Sequence, residues 1–204
     1  MIRLRIDVLK AVSSPDLIQI ADNFGINIED IPVKTSCVQW LPPAPNWMKA
    51  NSDGSLTADR GGYGALLRDE MGYFSIGTAG QSNPTSINLL EFQGLLKGLE
   101  LGIRLGAMRI WFEADSTTAI AWVKDKGSLP WTALRMKRKM QQGLALLNDW
   151  KISHIPREGN SVADLLASHR TSNGESIFQK HELWPAIEEL LKKDQIGTVY
   201  KRNS

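Results

Sequence analysis

Four acidic residues are placed where carboxylates from different parts of the chain can meet. Asp53 and Asp115 lie near the carboxyl ends of two predicted strands, where open sheets build their sites. Glu91 and Asp164 lie in the first turns of two predicted helices that can pack on that sheet. Converging carboxylates repel one another unless cations neutralise them, and hard oxygen ligands favour magnesium or manganese over zinc. Two such ions sharing a carboxylate can hold a phosphate and activate water beside it.

Each of these carboxylates also has an ordinary structural interpretation. Asp53 precedes a glycine, and Asp-Gly is a common turn pair. Glu91 and Asp164 each follow an Asn or a Ser by three residues, which is the spacing of a capping box. Asp115 precedes a serine at a predicted helix start, where aspartate is a favoured cap. For any one residue alone the structural interpretation is the more common, and the joint placement of all four favours the metal site.

The period of the apolar residues predicts the elements that position these side chains. The segments WMKANSDGS, GGYGALLRDEMG and YFSIGTAG are predicted strands, the first ending in the Asp-Gly turn and the last two joined by a hairpin at Asp69, Glu70 and Gly72. Apolar residues three and four apart in INLLEFQGLLKGLELGIRLG predict a helix. The remaining segments extend the order to β-β-β-α-β-α-α-β-α. We therefore expect an α/β fold: a mixed five-stranded sheet, with three antiparallel strands followed by parallel strands, and helices on both faces.

Composition fits one globular domain with flanking segments. The chain has 204 residues, of which 42% are hydrophobic. Residues 1–45 are predicted to be an N-terminal segment ending in the proline-rich linker LPPAP, and residues 46–172 the domain. Residues 173–204 are predicted to be a C-terminal extension with a short helix (PAIEELLKK) and a polar basic tail.

Charge and cysteine content narrow the function classes. The net charge is only +2, so a nucleic-acid partner requires local basic patches. The single cysteine, Cys37, excludes an internal disulfide framework and a cysteine-based zinc site. No apolar run is long enough to span a bilayer, and the first residues lack the apolar core of a secretory signal. We expect no membrane association and an intracellular protein, with the cytoplasm and the nucleus both open.

A cluster of basic residues is the candidate nucleic-acid surface. It consists of Lys124, Lys126, Arg135, Lys137, Arg138 and Lys139. Such a cluster can track phosphates, although a solvated helix face is the common alternative. Trp122 and Trp131 flank the cluster. Either tryptophan can stack on a sugar or a base, but the helical spacing of Trp122 with neighbouring apolar residues is equally typical of a core position.

Five segments occur in an order that resembles the ribonuclease H family. They are NSDGS, GGYGALLRD, LLEFQGLLKGLELG, FEADSTTAI and HIPREGNSVADLLA, and the resemblance covers about residues 47–170. The residues of these segments are most similar to those of the plant retroelement-type branch, which is found at the end of non-LTR reverse transcriptases. The preceding segment PPAPNWMK also resembles that branch. The resemblance implies a type 1 ribonuclease H-like fold.

The same resemblance implies a function and a role for each residue. It implies a metal-dependent endonuclease that hydrolyses the RNA strand of RNA–DNA hybrids, using two Mg²⁺ ions, with Mn²⁺ as a substitute, and no small-molecule cofactor. Asp53 is then shared by both metals, Glu91 and Asp115 lie on one side, and Asp164 lies on the side of the attacking water. His154 would aid proton transfer or product release. The alternative for His154, a strand histidine hydrogen-bonded to the backbone, stays open.

Two positions depart from the family pattern in places that contact the RNA strand. The loop after NSDGS, LTADR, is shorter than in many relatives, and Ile87 replaces an asparagine four residues before Glu91. These departures support an alternative, a catalytically silent nucleic-acid-binding module with the same fold. A further alternative is a scaffold for protein interaction, for which the sequence identifies no partner.

Overall fold

In a computed structural model, the segments before residue 87 that have alternating apolar residues form strands. The segment after residue 87 that has apolar residues three and four apart forms a helix. The structure describes residues 35–83, 86–171 and 174–203, nearly all within one unit, Ser36–Arg202. Residues 1–34, most of the predicted N-terminal segment, lie outside the described residues. The strands in these ranges are β1 (Thr35–Gln39), β2 (Met48–Leu56), β3 (Gly61–Arg68), β4 (Phe74–Ser82), β5 (Arg109–Ala114), β6 (Asp149–His154), β7 (Glu175–Phe178) and β8 (Val199–Asn203).

The helices begin and end close to the predicted positions. Those in the described ranges are α1 (Ile87–Arg104), α2 (Thr117–Val123), α3 (Leu134–Leu144), α4 (Ser161–Ser168) and α5 (Pro185–Gln195). The longest, α1, begins where the Ser86 hydroxyl accepts a hydrogen bond from the Leu89 amide at 3.3 Å. The short helix predicted in the C-terminal extension is confirmed as α5. None of the helices in the described part of the chain has the length and apolar character needed to cross a membrane.

The main sheet has the strand order β6-β5-β2-β3-β4-β7. Strands β2, β3 and β4 form an antiparallel meander. Strand β5 runs parallel to β2, and β6 runs parallel to β5. This arrangement confirms the predicted mixed sheet and the predicted order of elements. A separate two-stranded sheet pairs β1 with β8.

The sheet has six strands where the sequence predicted five. The additional strand, β7, comes from the predicted C-terminal extension and pairs antiparallel with β4, from Gly80 opposite Glu175 to Gly77 opposite Phe178. Without β7 the edge of β4 would present unpaired backbone groups. The sheet therefore continues past the domain boundary predicted at residue 172.

The predicted Asp-Gly turn is wrong. Asp53 and Gly54 lie inside the ladder between β2 and β3, opposite Gly64 and Tyr63 respectively. The chain reverses after Leu56, where the Thr57 amide donates to the Arg60 carbonyl at 2.8 Å. A carboxylate in the ladder points away from the sheet at a fixed position, which a turn residue would not provide.

Both faces of the sheet are covered by helices, as predicted. Leu66 and Leu67 are adjacent on β3 and fully buried, and they belong to different core clusters. One cluster joins the sheet to α1, α2 and α3, and the other joins it to α4 and α5. The alternation of a strand places consecutive side chains on opposite faces, so β3 contributes to both layers.

Glycines allow α1 to approach the sheet closely at the end of β2. A Cβ atom at Gly54 would lie 2.5 Å from the backbone nitrogen of Glu91. A Cβ atom on the helix at Gly94 would lie 2.8 Å from the carbonyl oxygen of Asp53. Both distances are shorter than real Cβ contacts. The absence of side chains at these two positions therefore sets the distance between α1 and β2.

Replacing Gly94 by Ala tests this close approach. We expect Gly94→Ala to lower the free energy of unfolding by about 1–3 kcal/mol, the range for an overpacked core, because the new methyl group meets backbone atoms. Gly98→Ala is the matched control on the same helix, since its Cβ would lie 3.4 Å from the Ala50 Cβ, an ordinary contact. Its expected effect is neutral or stabilising by up to about 1 kcal/mol, from helix propensity. Urea unfolding measures both variants, and equal stability of the two would contradict the packing argument.

Candidate metal centre

Two neighbouring parallel strands bring Asp53 and Asp115 to the same edge of the sheet. In the register of β2 and β5, Ser52 lies opposite Ala114, and the two aspartates follow directly. The first turns of α1 supply Glu91 beside them. One carboxylate oxygen from each of the three acidic residues lies within 4.8 Å of the others. Three of the four predicted ligands therefore converge.

The fourth carboxylate, Asp164, lies beside this group in the first turn of α4. It is outside the group that lies within 4.8 Å. Its amide donates to the carbonyl of Asn160, whose side chain in turn donates to the carbonyl of Ser52, the residue before Asp53. The Asp164 Oδ1 atom accepts a hydrogen bond from the Arg157 guanidinium at 2.7 Å. That Asp164 shares a metal ion with Asp53 stays a prediction.

The capping interpretations of these acidic residues are wrong. Ser86 caps α1, and Ser116 caps α2 by accepting from the Ala119 amide at 3.2 Å. At the start of α4 the Ser161 hydroxyl donates instead to the carbonyl of Glu158. Serines thus cap α1 and α2, and no capping box forms at α4 within the described residues. The carboxylates are left available for another role.

Burial makes the three converging carboxylates unusual. Asp53 is 2% exposed and Glu91 is 6% exposed. The Oδ2 atom of Asp53, the Oε2 atom of Glu91 and the Oδ1 atom of Asp115 are buried and find no hydrogen-bond partner among the residues that the structure describes. Buried charged oxygens without partners are strongly unfavourable. The oxygen donors therefore fit a hard divalent cation such as Mg²⁺ or Mn²⁺.

The electrostatics agree with a site built for cations. Burial, followed by the charges of Glu91, Asp115 and Asp164, raises the pKa of Asp53 to about 10. Burial and the charge of Asp115 raise the pKa of Glu91 to about 8. Burial and like charge both raise these pKa values by disfavouring the anion. A bound cation would stabilise the anion and lower the pKa values again.

His154 lies at the same edge of the sheet. It ends β6 opposite Ala114, the residue before Asp115, and its side chain is exposed. The predicted alternative, a hydrogen bond from its imidazole to the backbone, is not seen within the described ranges. The position suits a group that exchanges protons with solvent near the carboxylates, and this role stays a prediction.

One of the predicted phosphate contacts needs correction. The Lys137 ammonium is buried, donating to the carbonyls of Trp122 and Val123 at 2.5 and 2.9 Å and pairing with Asp125 at 2.9 Å. It stabilises the carboxyl end of α2, where free carbonyls favour a cation, and it does not face solvent. The other basic residues of the cluster are exposed: Lys124, Lys126, Arg135, Arg138 and Lys139.

The two tryptophans beside the cluster have different environments. Trp122 is buried and packs edge-on against Phe92, with ring centroids 5.8 Å apart, so it is a core residue. Trp131 precedes α3 and is 82% exposed. Only Trp131 of this pair is placed to stack on a ligand.

Sequence reasoning missed two residues that contact the site. Arg157 pairs with Asp164, and Asn160 occupies the position that precedes α4. Both lie within the segment HIPREGNSVADLLA. The position of Asn160 just before a predicted helix was a usable signal, because asparagine is favoured there. The pairing of Arg157 depends on a 3-10 turn at Arg157–Gly159 that the apolar period does not reveal.

Comparisons with known proteins match the part of the chain that contains the four acidic residues. Residues 51–170 match the model of the reverse transcriptase-like family. An Arabidopsis thaliana protein named "Putative ribonuclease H protein" is 29% identical over 170 residues, which is 81% of this chain. The chain spans only 27% of the length of that relative.

Solved structures share the fold. RNase H1 from Halobacterium salinarum has a TM-score of 0.56 and 23% identity, covering 59% of this chain and 94% of its own. An N-terminal RNase H domain from Mycobacterium tuberculosis has a TM-score of 0.57 and 21% identity, covering 59% and 90%. LC11-RNase H1, solved in complex with an RNA/DNA hybrid, has a TM-score of 0.53 and 22% identity, covering 58% and 92%. These likenesses show a ribonuclease H-like fold.

The raised pKa of Asp53 predicts how stability depends on pH in the presence of a chelator. Between the ordinary pKa of 3.8 and the folded pKa of about 10, the folded state binds more protons than the unfolded state. The free energy of unfolding therefore falls as pH rises through this window. Asp53→Asn removes this contribution. We expect the variant to have the higher Tm at pH 9, by about 4–8 °C if the effect is about 2 kcal/mol, and a smaller advantage at pH 5.

Asp149→Asn is the control, because Asp149 is exposed at the start of β6, the opposite end of the strand from His154. Its Tm should follow that of the wild type at every pH. Thermal unfolding in EDTA from pH 5 to pH 9 makes the comparison. Parallel pH profiles for the wild type and Asp53→Asn would show that Asp53 is not held at a raised pKa.

Proposed function

Because the chain belongs to the reverse transcriptase-like family and carries a ribonuclease H-like domain, we propose that it is a metal-dependent endonuclease that hydrolyses the RNA strand of RNA–DNA hybrids. One observation carries the proposal. Asp53, Glu91 and Asp115 come from three separate elements, and each leaves a buried carboxylate oxygen without a partner among the described residues. A fold that needs these charges only for stability would place them in solvent or pair them.

The carboxylates would hold two Mg²⁺ ions, or Mn²⁺ in their place. Asp53, Glu91 and Asp115 would bind one ion, and Asp53 with Asp164 would bind the other. Bound there, the ions would activate a water and neutralise charge on the phosphate. Asp53 is the natural shared ligand, because it is the most buried carboxylate of the site and three others raise its pKa.

The contribution of the chain itself is position and charge. Strand β2 pairs with β3 at Asp53 and with β5 as far as Ser52, the residue before it, which fixes the direction of Asp53. His154 is exposed one register step from Asp115 and would pass protons to solvent. The Arg157 guanidinium is 74% exposed beside Asp164, where it can also meet a phosphate.

One observation favours a second function, binding of hybrids without cleavage. Ile87 is 41% exposed at the start of α1, at the position where the family resemblance implies an asparagine that contacts the RNA strand. An isoleucine cannot donate or accept a hydrogen bond with a 2′-hydroxyl, a group that distinguishes RNA from DNA. Selectivity for RNA must then come from other residues, or the domain binds without cutting.

Asp53→Asn separates the two functions. The substitution preserves shape but removes the charge of the proposed shared ligand, so we expect cleavage to fall by at least about 10³-fold, roughly 4 kcal/mol of transition-state stabilisation. Hybrid affinity should stay within a few-fold. The assay uses a labelled hybrid with Mg²⁺ or Mn²⁺, and single-stranded and double-stranded RNA as substrate controls. Asp149→Asn, which removes a distant exposed charge, should retain full activity.

Undiminished cleavage by folded Asp53→Asn would contradict the metal mechanism. Binding of hybrid by the wild type, with no cleavage by the wild type under either metal, would instead support the silent module.

Salt dependence tests the basic surface. Arg135 and Lys139 are exposed and one helical turn apart on α3, so both can contact phosphates from one face. Phosphate contacts release counterions, and each contributes roughly one unit to the slope of log affinity against log salt. We expect the double variant Arg135→Ala, Lys139→Ala to weaken hybrid binding and flatten the slope by about two units. The cleavage rate at saturating substrate should change little.

The matched control removes the same charge from α5 with Lys192→Ala and Lys193→Ala. Its slope should equal that of the wild type. Affinity measured at several salt concentrations compares the three proteins, and identical slopes for all of them would mean that α3 is only a solvated face. Lys137 is left unchanged because its ammonium is buried.

A further inference from the structure

A buried polar network lies under the candidate metal centre, on the sheet face that α4 covers. Its centre is the side chain of Asn51 on β2, and we call it the Asn51 network. Its members are Trp40, Asn51, Arg68, Glu113, Asn160 and Asp194. Each member is at most 6% exposed. Hydrogen bonds among buried polar groups lower the free-energy cost of removing those groups from water.

The Asn51 amide makes every hydrogen bond of which it is capable. Its Oδ1 atom accepts from the Trp40 indole at 3.0 Å and from the Arg68 guanidinium at 2.8 Å. Its Nδ2 atom donates to Glu113 Oε2 at 3.3 Å and to Asn160 Oδ1 at 3.2 Å. Two acceptor sites and two donors are the full capacity of an asparagine side chain. Asn51 is thereby fixed in orientation.

The network reaches the metal centre through Asn160. The Asn160 Nδ2 atom donates to the carbonyl of Ser52 at 2.9 Å, directly before Asp53. The backbone carbonyl of Asn160 accepts from the amide of Asp164 at 3.1 Å. One residue thus bonds both to the strand that carries Asp53 and to the helix turn that carries Asp164, and Asn51 fixes that residue.

In the other direction the network reaches parts of the chain outside the region that matches the family. Arg68 Nη1 pairs with Asp194 Oδ2 on α5 at 2.6 Å, and the Tyr200 hydroxyl donates to the other oxygen of Asp194 at 3.1 Å. Trp40 lies before the matched region, and the Arg68 guanidinium stacks 3.5 Å from its ring centroid. Asn51, the centre of the network, is therefore contacted through residues on both sides of the matched region.

Charge balance makes these flanking contacts necessary. Arg68 is 1% exposed, and burial lowers its pKa while Asp194 opposes that shift. Lys49 pairs with the remaining Glu113 oxygen at 2.9 Å. The buried charges therefore form two pairs of opposite charge, Lys49 with Glu113 and Arg68 with Asp194. Loss of one partner would leave a buried charge without compensation, which is much worse than loss of both.

We infer that Asn51 is a positioning residue that sets the spacing between Asp53 and Asp164, and that Trp40 and Asp194 hold it in place from outside the family-matching region. The inference rests on the proposed metal site, whose two ions would tolerate errors in ligand position of only about 0.5 Å. Neither Asn51 nor Asp194 would contact metal or substrate. Their effect passes through Asn160 to the ligands.

The test uses Mn²⁺ alone as the probe and the full 204-residue chain. Asn51→Ala removes the side chain at the centre of the network. Asp194→Asn keeps the shape of the residue that pairs with Arg68 but removes its charge. Outer partners of metal ligands are worth about 10–100-fold in metal affinity, so we expect Asn51→Ala to weaken Mn²⁺ binding by at least 10-fold. We expect Asp194→Asn to weaken it several-fold. Calorimetric titration of the folded proteins measures both.

Leu191→Ala is the matched control, because Leu191 is a buried core residue of α5 three positions before Asp194 and outside the network. It should destabilise the protein yet leave Mn²⁺ affinity unchanged. A second readout needs no metal. Amide hydrogen exchange at the first turn of α4 in EDTA should be faster in Asn51→Ala and Asp194→Asn, relative to global unfolding, and not in Leu191→Ala.

Each outcome decides the inference. Weaker Mn²⁺ binding and faster exchange in both network variants, with the control unchanged, supports it. Wild-type Mn²⁺ affinity in both folded network variants overturns it, as does an equal loss in Leu191→Ala. A wild type that binds Mn²⁺ but cuts no hybrid overturns only the proposed nuclease. A wild type that does not bind Mn²⁺ overturns the metal site and this inference together.

Discussion

Asp53 and Glu91 carry their carboxylates into a part of the protein that water scarcely reaches, and Asp115 lies partly buried beside them. The like charges of the three repel one another. Burial and repulsion both disfavour the ionised forms, so the folded chain must neutralise them with protons or with cations. The raised pKa values of Asp53 and Glu91 describe the first solution, and a divalent cation provides the second. This repulsion is the constraint that the surrounding structure must withstand, because nothing in the three side chains themselves holds them together.

The backbone supplies the opposing rigidity. Parallel pairing of β2 with β5 fixes the two aspartates at one edge, and Gly54 lets the helix that carries Glu91 approach that edge. On the other sheet face Asn160 ties α4 to β2. A flexible loop would relieve the repulsion by moving apart, whereas a paired strand and a closely packed helix cannot. The same rigidity would keep metal ligands at fixed distances while substrate binds and leaves.

Sequence reasoning predicted what depends on local periodicity and missed what depends on pairing at a distance. The element order followed from the apolar period, since α1 buries one face along its length. Strand β7 was missed because it has four residues and exists through its pairing with β4. The Asp-Gly turn was wrong because the pairing of Asp53 and Gly54 with β3 overrides a local turn preference. The buried position of Lys137 was equally invisible, since its partners lie 14 and 15 residues away.

The Asn51 network also bears on what the functional unit of this chain is. The family match spans residues 51–170, and motif comparison alone would place the boundaries there. Those boundaries would exclude Trp40 and Asp194, leaving Arg68 in the interior with its stacking partner and its counter-charge both removed. An isolated buried guanidinium draws in water or forces the surrounding strands apart. Because Arg68 also bonds to Asn51, that disturbance would begin one hydrogen bond from the strand that carries Asp53. The part of the chain that is needed to pair the buried charge of Arg68 is therefore longer than the part that the motifs span.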